Sequence, residues 1–190
     1  MNNLSALTLK AGLFFSLITG AFFSPLISVQ AEEIKPALQV RVERYKKNLA
    51  EWAASPLVIS AVKESNKQGY ISGMSNAQWG ALPESDPYVI KMHQNALGEQ
   101  IAKWEEDKAF EKLNVRNIKG YLAAYSSNNA KPLLFNNSGR PAFVNGLKGV
   151  WSASEVKPDP TTHNNAVQIS APILDKGQVI GVIHAAVLAE

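Results

Sequence analysis

Hydrophobic and polar positions along the chain fall into two regimes, helical up to about Lys112 and strand-like after it. Between Ile34 and Lys67 the apolar residues Leu38, Val42, Tyr45, Leu49 and Trp52 recur at alternating spacings of four and three, with Arg41, Glu43, Lys46, Lys47 and Glu51 between them. That spacing lines one face of a helix. Ser55-Pro56 interrupts it, and a Pro following a Ser cap predicts a kink or restart with Leu57, Val58 and Val62 continuing inward. The stripe suits packing against a sheet; as the seam of a coiled-coil dimer, about two heptads is short. Gln68 to Ser85 reads as a loop anchored by Tyr70, Met74 and Trp79. Asp86-Pro87 then caps a second helix running to about Lys112, with Ile90, Leu97, Ile101 and Trp104 inward, in which Gly98 costs about 1 kcal/mol.

After that helix the period changes to two. Ile118 to Tyr125 alternates, Ser126 to Ala130 is a polar turn and Pro132 to Phe135 returns, which predicts a first hairpin. Asn136 to Lys148 is irregular with a short helical turn, Val150 to Val156 is a candidate third strand, and Lys157 to Asn165 is too rich in Pro and Asn for regular structure. Ala166 to Leu174 and Val179 to Leu188 are two β-branched and aliphatic runs around Asp175-Lys-Gly-Gln178, hence a final hairpin. The last strand is apolar on both faces, as a central strand covered on two sides would be. The expected class is therefore α+β: a long N-terminal helix and a second helix packed on a five-stranded antiparallel sheet.

The first 31 residues change the picture of where the chain works. Met1 to Ala31 has no acidic residue, the lone cation Lys10, an apolar run from Ala11 to Val29 and small residues at Val29-Gln30-Ala31. This reads as a secretory signal cleaved after Ala31, leaving one domain from Glu32 to Glu190 in the periplasm. An uncleaved membrane anchor is the alternative, although Gly20, Pro25 and several Ser residues break the run. The formal charge of +3 becomes nearly neutral once Lys10 is removed. No basic stripe is present, so a nucleic-acid partner is not expected. The absence of cysteine excludes a disulfide scaffold, a lipoprotein anchor and thiol catalysis.

The wording of the final hairpin, "ISAPILDKGQVIGVI", after a long N-terminal helix and a five-stranded meander, resembles the Cache type of extracytoplasmic sensor domain, a relative of PAS folds. The likeness is sharp over Val167 to Val187. It implies capture of a small molecule of the amino acid, amine or carboxylate class between the sheet and its long connecting loop. With no second apolar span after Val29, it also implies a stand-alone periplasmic version that passes occupancy to a separate membrane-bound receptor or kinase. One amino-acid-binding subset carries Tyr, four residues, Arg, one residue, Trp-Tyr, and an Asp on the last strand. Phe135, Arg140 and Ala142-Phe143 stand at that spacing and Ala186 stands near the Asp, so the Arg alone is kept. An Arg that clamps a ligand carboxylate is consistent with it.

Strand faces nominate a second set of residues. With period two, His184 shares a face with Val182 and Ala186, and Gln168 and Ser170 stand against Val167, Ile169 and Ala171. If those faces coincide, Gln168, Ser170 and His184 converge with Tyr121 and Tyr125, while Trp151 and Phe143 wall the pocket. The candidate ligand-binding set is therefore Tyr121, Tyr125, Arg140, Trp151, Gln168, Ser170 and His184. A satisfied core histidine, core aromatics and a plain surface arginine are the alternatives.

Other classes find less in the residues. His93, His163 and His184 show no metal-ligand spacing, and no nucleophile elbow, phosphate loop or dinucleotide glycine pattern occurs, so no enzyme, metal or cofactor is expected. A periplasmic adaptor that meets a partner protein without a small molecule is the alternative function. A monomer or weak dimer is expected.

Overall fold

The computed structural model describes residues 35–68 and 74–189. The expected signal segment with its cleavage after Ala31, and the anchor Tyr70, lie outside the described residues. The architecture is α+β, with helices on an antiparallel sheet.

The N-terminal stripe folds as its spacing predicts. Helix α1 (Pro36–Ala53) buries Leu38, Val42, Tyr45 and Leu49, and α2 (Pro56–Gln68) buries Val58 and Val62. The restart sits at Ser55, whose Oγ accepts from Val58 N at 3.3 Å. Within the chain this stripe packs on the sheet, in one core with Leu113, Val115, Val167, Ile169, Ile183 and Val187. Trp52 completes it by stacking on Trp104, with ring centroids 4.8 Å apart and 11° between planes.

The stretch expected as a loop contains a short helix, α3 (Asn76–Ala81), because Ser75 and Gln78 form a reciprocal capping box. The single second helix expected from Asp86 to Lys112 is instead two, α4 (Pro87–His93) and α5 (Ala96–Trp104). Asn95 is the reason for the break: its side chain caps α5 by accepting from Gly98 N at 2.9 Å. Gly98 makes the tight corner possible, since a Cβ there would lie 2.1 Å from the His93 carbonyl oxygen.

The end of that expected helix is in fact the first strand, β1 (Phe110–Asn117). Leu113 and Val115 alternate with Lys112, Asn114 and Arg116, a period-two pattern hidden by the helical residues before it. The first hairpin is accordingly β1 with β2 (Leu122–Tyr125), and not 118–125 with 132–135. Residues 132–135 leave the ladder but stay beside it, with Leu122 N donating to Phe135 O at 2.9 Å.

Helix α6 (Pro141–Leu147) is the expected helical turn. The candidate third strand shrinks to β3 (Ser152–Ala153), and a second two-residue strand, β4 (Lys157–Pro158), opens the Pro-rich segment. The final hairpin is β5 (Asn165–Asp175) and β6 (Gln178–Leu188). The sheet order is β2-β1-β6-β5-β3, with β4 also pairing β5, so among the described residues the expected five strands become six. β6 and β1 are central, which explains why β6 is apolar on both faces. One face carries the helix core; a second, smaller core of Trp79, Val89, Met92, Leu122, Tyr125 and Phe135 lies under α3 and α4.

Candidate functional site

Cross-strand register assembles a polar row on the face opposite α1 and α2. Ser152 pairs with Ser170, Ser170 with His184 and His184 with Asn114. Directly paired residues of antiparallel strands share a face, so these four side chains stand in line across the sheet. Gln168, Ala186 and Lys112 form the neighbouring row on one side, and Val182 and Arg116 are partners on the other.

Helix α6 closes over part of this face. It lies against β6 so tightly that a Cβ on Gly146 would come 2.7 Å from Val182 Cγ2. Its Phe143 ring sits over His184 at a centroid distance of 6.4 Å. Between the sheet, residues 132–134, the start of α6 and the β3–β4 segment lies a cavity of about 670 Å³, within the size range of small-ligand sites. Its floor is Lys112, Asn114, Arg116, Gln168 and His184; Arg140 stands at its rim.

Arg116 dominates the electrostatics. Its side chain is buried, 4% exposed. Nη1 donates to Phe135 O at 2.9 Å and Gly120 O at 3.2 Å, Nη2 to Leu134 O at 2.9 Å, and Nε to Asn114 Oδ1 at 3.2 Å. These acceptors are all neutral, and no carboxylate pairs with it among the described residues. Burial pulls its pKa down to about 9, which leaves it charged at neutral pH. Asn137 bridges it to the histidine: with its oxygen toward them it accepts from Arg116 Nε at 2.9 Å and His184 Nε2 at 3.3 Å, and its nitrogen donates to Gly120 O. His184 is pushed down to about 3 by burial and then by the Arg116 charge, so its imidazole is neutral.

A buried acid stands at the edge. Asp159, fully buried, accepts from Lys112 Nζ at 3.2 Å and from Gln168 Nε2 at 2.9 Å. Burial acts to raise its pKa, but the Thr161 amide, the Lys112 ammonium and the Thr162 amide together hold it below the ordinary carboxylate range.

Of the seven residues nominated by sequence, Arg140, Gln168 and His184 line the cavity. Ser170 lies in the same row, its hydroxyl in contact with that of Ser152 and 3.5 Å from Ala142 O. Tyr125 shares the face but turns its ring into the smaller core against His93, 5.3 Å between centroids. Tyr121 packs on Phe135 at 5.4 Å, and Trp151 is 38% exposed outside the cavity lining. Sequence reasoning missed Lys112, Asn114, Arg116 and Asn137. The alternation Lys112, Asn114, Arg116 against Leu113, Val115 was the signal for the first three; nothing in the pattern marks Asn137. Among the described residues no group of His, Asp and Glu could hold a metal ion, and no helix is long and apolar enough to cross a membrane.

No protein-family model matches the chain, and no curated protein matches it. Among solved structures it is similar to the sensor domain of the V. cholerae histidine kinase DctB, at 16% identity and a TM-score of 0.42 over 80% of this chain and 57% of that one. It is similar to the ligand-binding domain of the Campylobacter jejuni chemoreceptor Tlp3, in complex with L-valine, at 14% identity and 0.41, covering 82% of this chain and 64% of that one. The sensor domain of E. coli DcuS matches at 15% identity and 0.36, over 54% of this chain and 77% of that one. The chain thus spans less than two thirds of the DctB and Tlp3 domains. These neighbours are sensor domains.

Proposed function

We propose that the chain is a small-molecule-binding sensory domain whose ligand carries a carboxylate. The observation that supports this most is Arg116: a charged, buried guanidinium on the floor of a ligand-sized cavity, held by neutral acceptors alone. A cation removed from water without a counterion favours an anion brought to it. Four of its five N–H groups have the acceptors named above, which leaves one for a ligand oxygen. Neutral His184, Gln168 and Asn114 offer hydrogen bonds without charge, and Arg140 adds a second cation at the rim. Among the described residues no Asp or Glu lines the cavity, and Asp159 at its edge is already engaged, so within the class of amino acids, amines and carboxylates the surroundings favour the carboxylate over an ammonium group.

The wider reading is an exported protein, its signal removed after Ala31, whose domain from Glu32 onward is a monomer or weak dimer in the periplasm. It reports occupancy to a separate membrane-bound receptor or kinase, and it is not an enzyme. Ligand and partner are linked only if the two states of the domain bind the ligand differently.

The test is a thermal-shift screen of the protein from Glu32 onward against small carboxylates, amines and amino acids, repeated on Arg116→Lys and His184→Ala. Stabilisation by carboxylates that Arg116→Lys weakens supports the reading, because ligand binding to the folded state raises its melting point by mass action. A shift by amines and none by carboxylates would overturn it. A folded protein that no small molecule stabilises moves the adaptor reading ahead.

A further inference from the structure

The cavity has a feature that its proposed role does not require: one of its own walls supplies a carboxylate to its floor. Asp159 begins the segment after β4, and Pro158 and Pro160 on either side of it line the cavity. Its Oδ1 and Oδ2 lie 3.2 and 3.3 Å from Lys112 Nζ, and Oδ2 accepts from Gln168 Nε2 at 2.9 Å. Lys112 and Gln168 are also cavity-lining residues, on the row beside His184. The same two donors therefore face a built-in anion at the edge and any anion that enters the cavity.

We infer that Asp159 is an internal competitor for the carboxylate ligand, holding Lys112 and Gln168 until a ligand takes them over and the 159–164 loop is released. This rests on the carboxylate reading above. Three features support the exchange. The Lys112 ammonium sits on a flexible stem, its side chain 20% exposed, so it turns from one acceptor to another at little cost. Its further partner, Thr161 Oγ1 at 2.7 Å, belongs to the same loop, so departure of Lys112 removes two of the loop's anchors at once. Asp159 keeps the Thr161 amide at 2.8 Å and the Thr162 amide at 3.3 Å. Those two amides hold the turn together but leave a buried carboxylate without its cation, an arrangement relieved by moving the loop toward water. Occupancy of the cavity then becomes a change on the surface, which a partner protein can read.

The experiment measures binding by calorimetry, with acetate, pyruvate, succinate and L-alanine as probes, for wild type, Asp159→Asn and Thr161→Val. Amide hydrogen exchange of residues 159–164 is followed with and without probe. Asp159→Asn is expected to bind the wild-type probe about tenfold tighter, and Thr161→Val, which leaves the acid in place, about twofold to threefold tighter. The probe is expected to accelerate exchange across residues 159–164 as the loop moves toward water in wild type, less at Thr161 and Thr162, whose amides Asp159 keeps. Unchanged or weaker affinity in both variants, with wild type binding, overturns the competitor role while leaving the carboxylate reading intact. Slower loop exchange on binding overturns the release. If no probe binds any of the three proteins, the carboxylate reading itself falls and the competitor with it.

Discussion

The guanidinium of Arg116 and the carbonyl oxygen of Phe135 are 2.9 Å apart, joining a central strand to a segment nineteen residues further along. Together with the bonds to Gly120 O and Leu134 O, this makes Arg116 the tie between the sheet and the cavity wall as well as the most deeply buried of the cavity's cations. Arg116→Met should lower unfolding free energy by about 3 kcal/mol, since buried carbonyls lose their donor, and should abolish stabilisation by carboxylates. Urea unfolding and thermal shift on the same samples check both, and a variant as stable as wild type contradicts the tie.

Two helical glycines should respond to alanine in opposite ways. Gly98 has the His93 carbonyl where a Cβ would go, at 2.1 Å, whereas Gly80 has nothing within 4 Å. Gly98→Ala should therefore destabilise by about 2–4 kcal/mol through the forced shift of backbone. Gly80→Ala, in α3, should stabilise by roughly 0.5–1 kcal/mol by restricting the unfolded chain. Melting curves of the pair decide it, and equal effects would mean the corner at Asn95 is slack.

Glu105 gives the fold a dependence on pH. It is 7% exposed and accepts from Leu113 N at 2.6 Å and Asn129 Nδ2 at 2.7 Å. Burial nevertheless raises its pKa to about 7, against the pull of Ser126, Leu113 and Asn129. A raised carboxyl pKa means that its stabilising contribution is full below the unfolded value near 4.5 and is lost as pH rises through 7. The loss amounts to roughly 3 kcal/mol at most. Because His184 carries the opposite dependence below about pH 6.5, the check is a difference: in chemical denaturation from pH 5 to 8, the stability of wild type relative to Glu105→Gln should fall as pH rises.

His184 acts in the other direction. With its folded pKa pulled to about 3, the neutral ring is favoured in the fold, so stability falls as pH drops below the unfolded value near 6.5 and continues to fall toward 3. Imidazole proton resonances of His184 should therefore hold their position from pH 7 to 4.5. A titration midpoint near 6 would show that Arg116 and burial do not govern the ring.

How much of this was legible beforehand differs from element to element. The stripe Leu38, Val42, Tyr45, Leu49 was readable because a helix packed on one side must repeat its apolar residues at 3.6. The pair of strands after Asn165 was readable because β-branched runs around a Gly-bearing turn have few other outcomes. Strand β1 was not, because its eight residues follow nine helical ones and a window spanning both averages the two periods. Only the ladder to β6 separates them.

Composition and periodicity by themselves determined the α+β class, the restart at Ser55, the central position of the last strand and the polar side of Gln168, Ser170 and His184. These are properties of neighbours in sequence, where spacing sets the face. Tertiary structure decided which polar residues meet: Arg116 reached the floor and Tyr125 left for the smaller core, because register between β1, β2 and β6 is set by pairing across the sheet. It also decided that Asp159 faces Lys112, 47 residues away. Such a contact depends on how the chain closes on itself, and no local period records it.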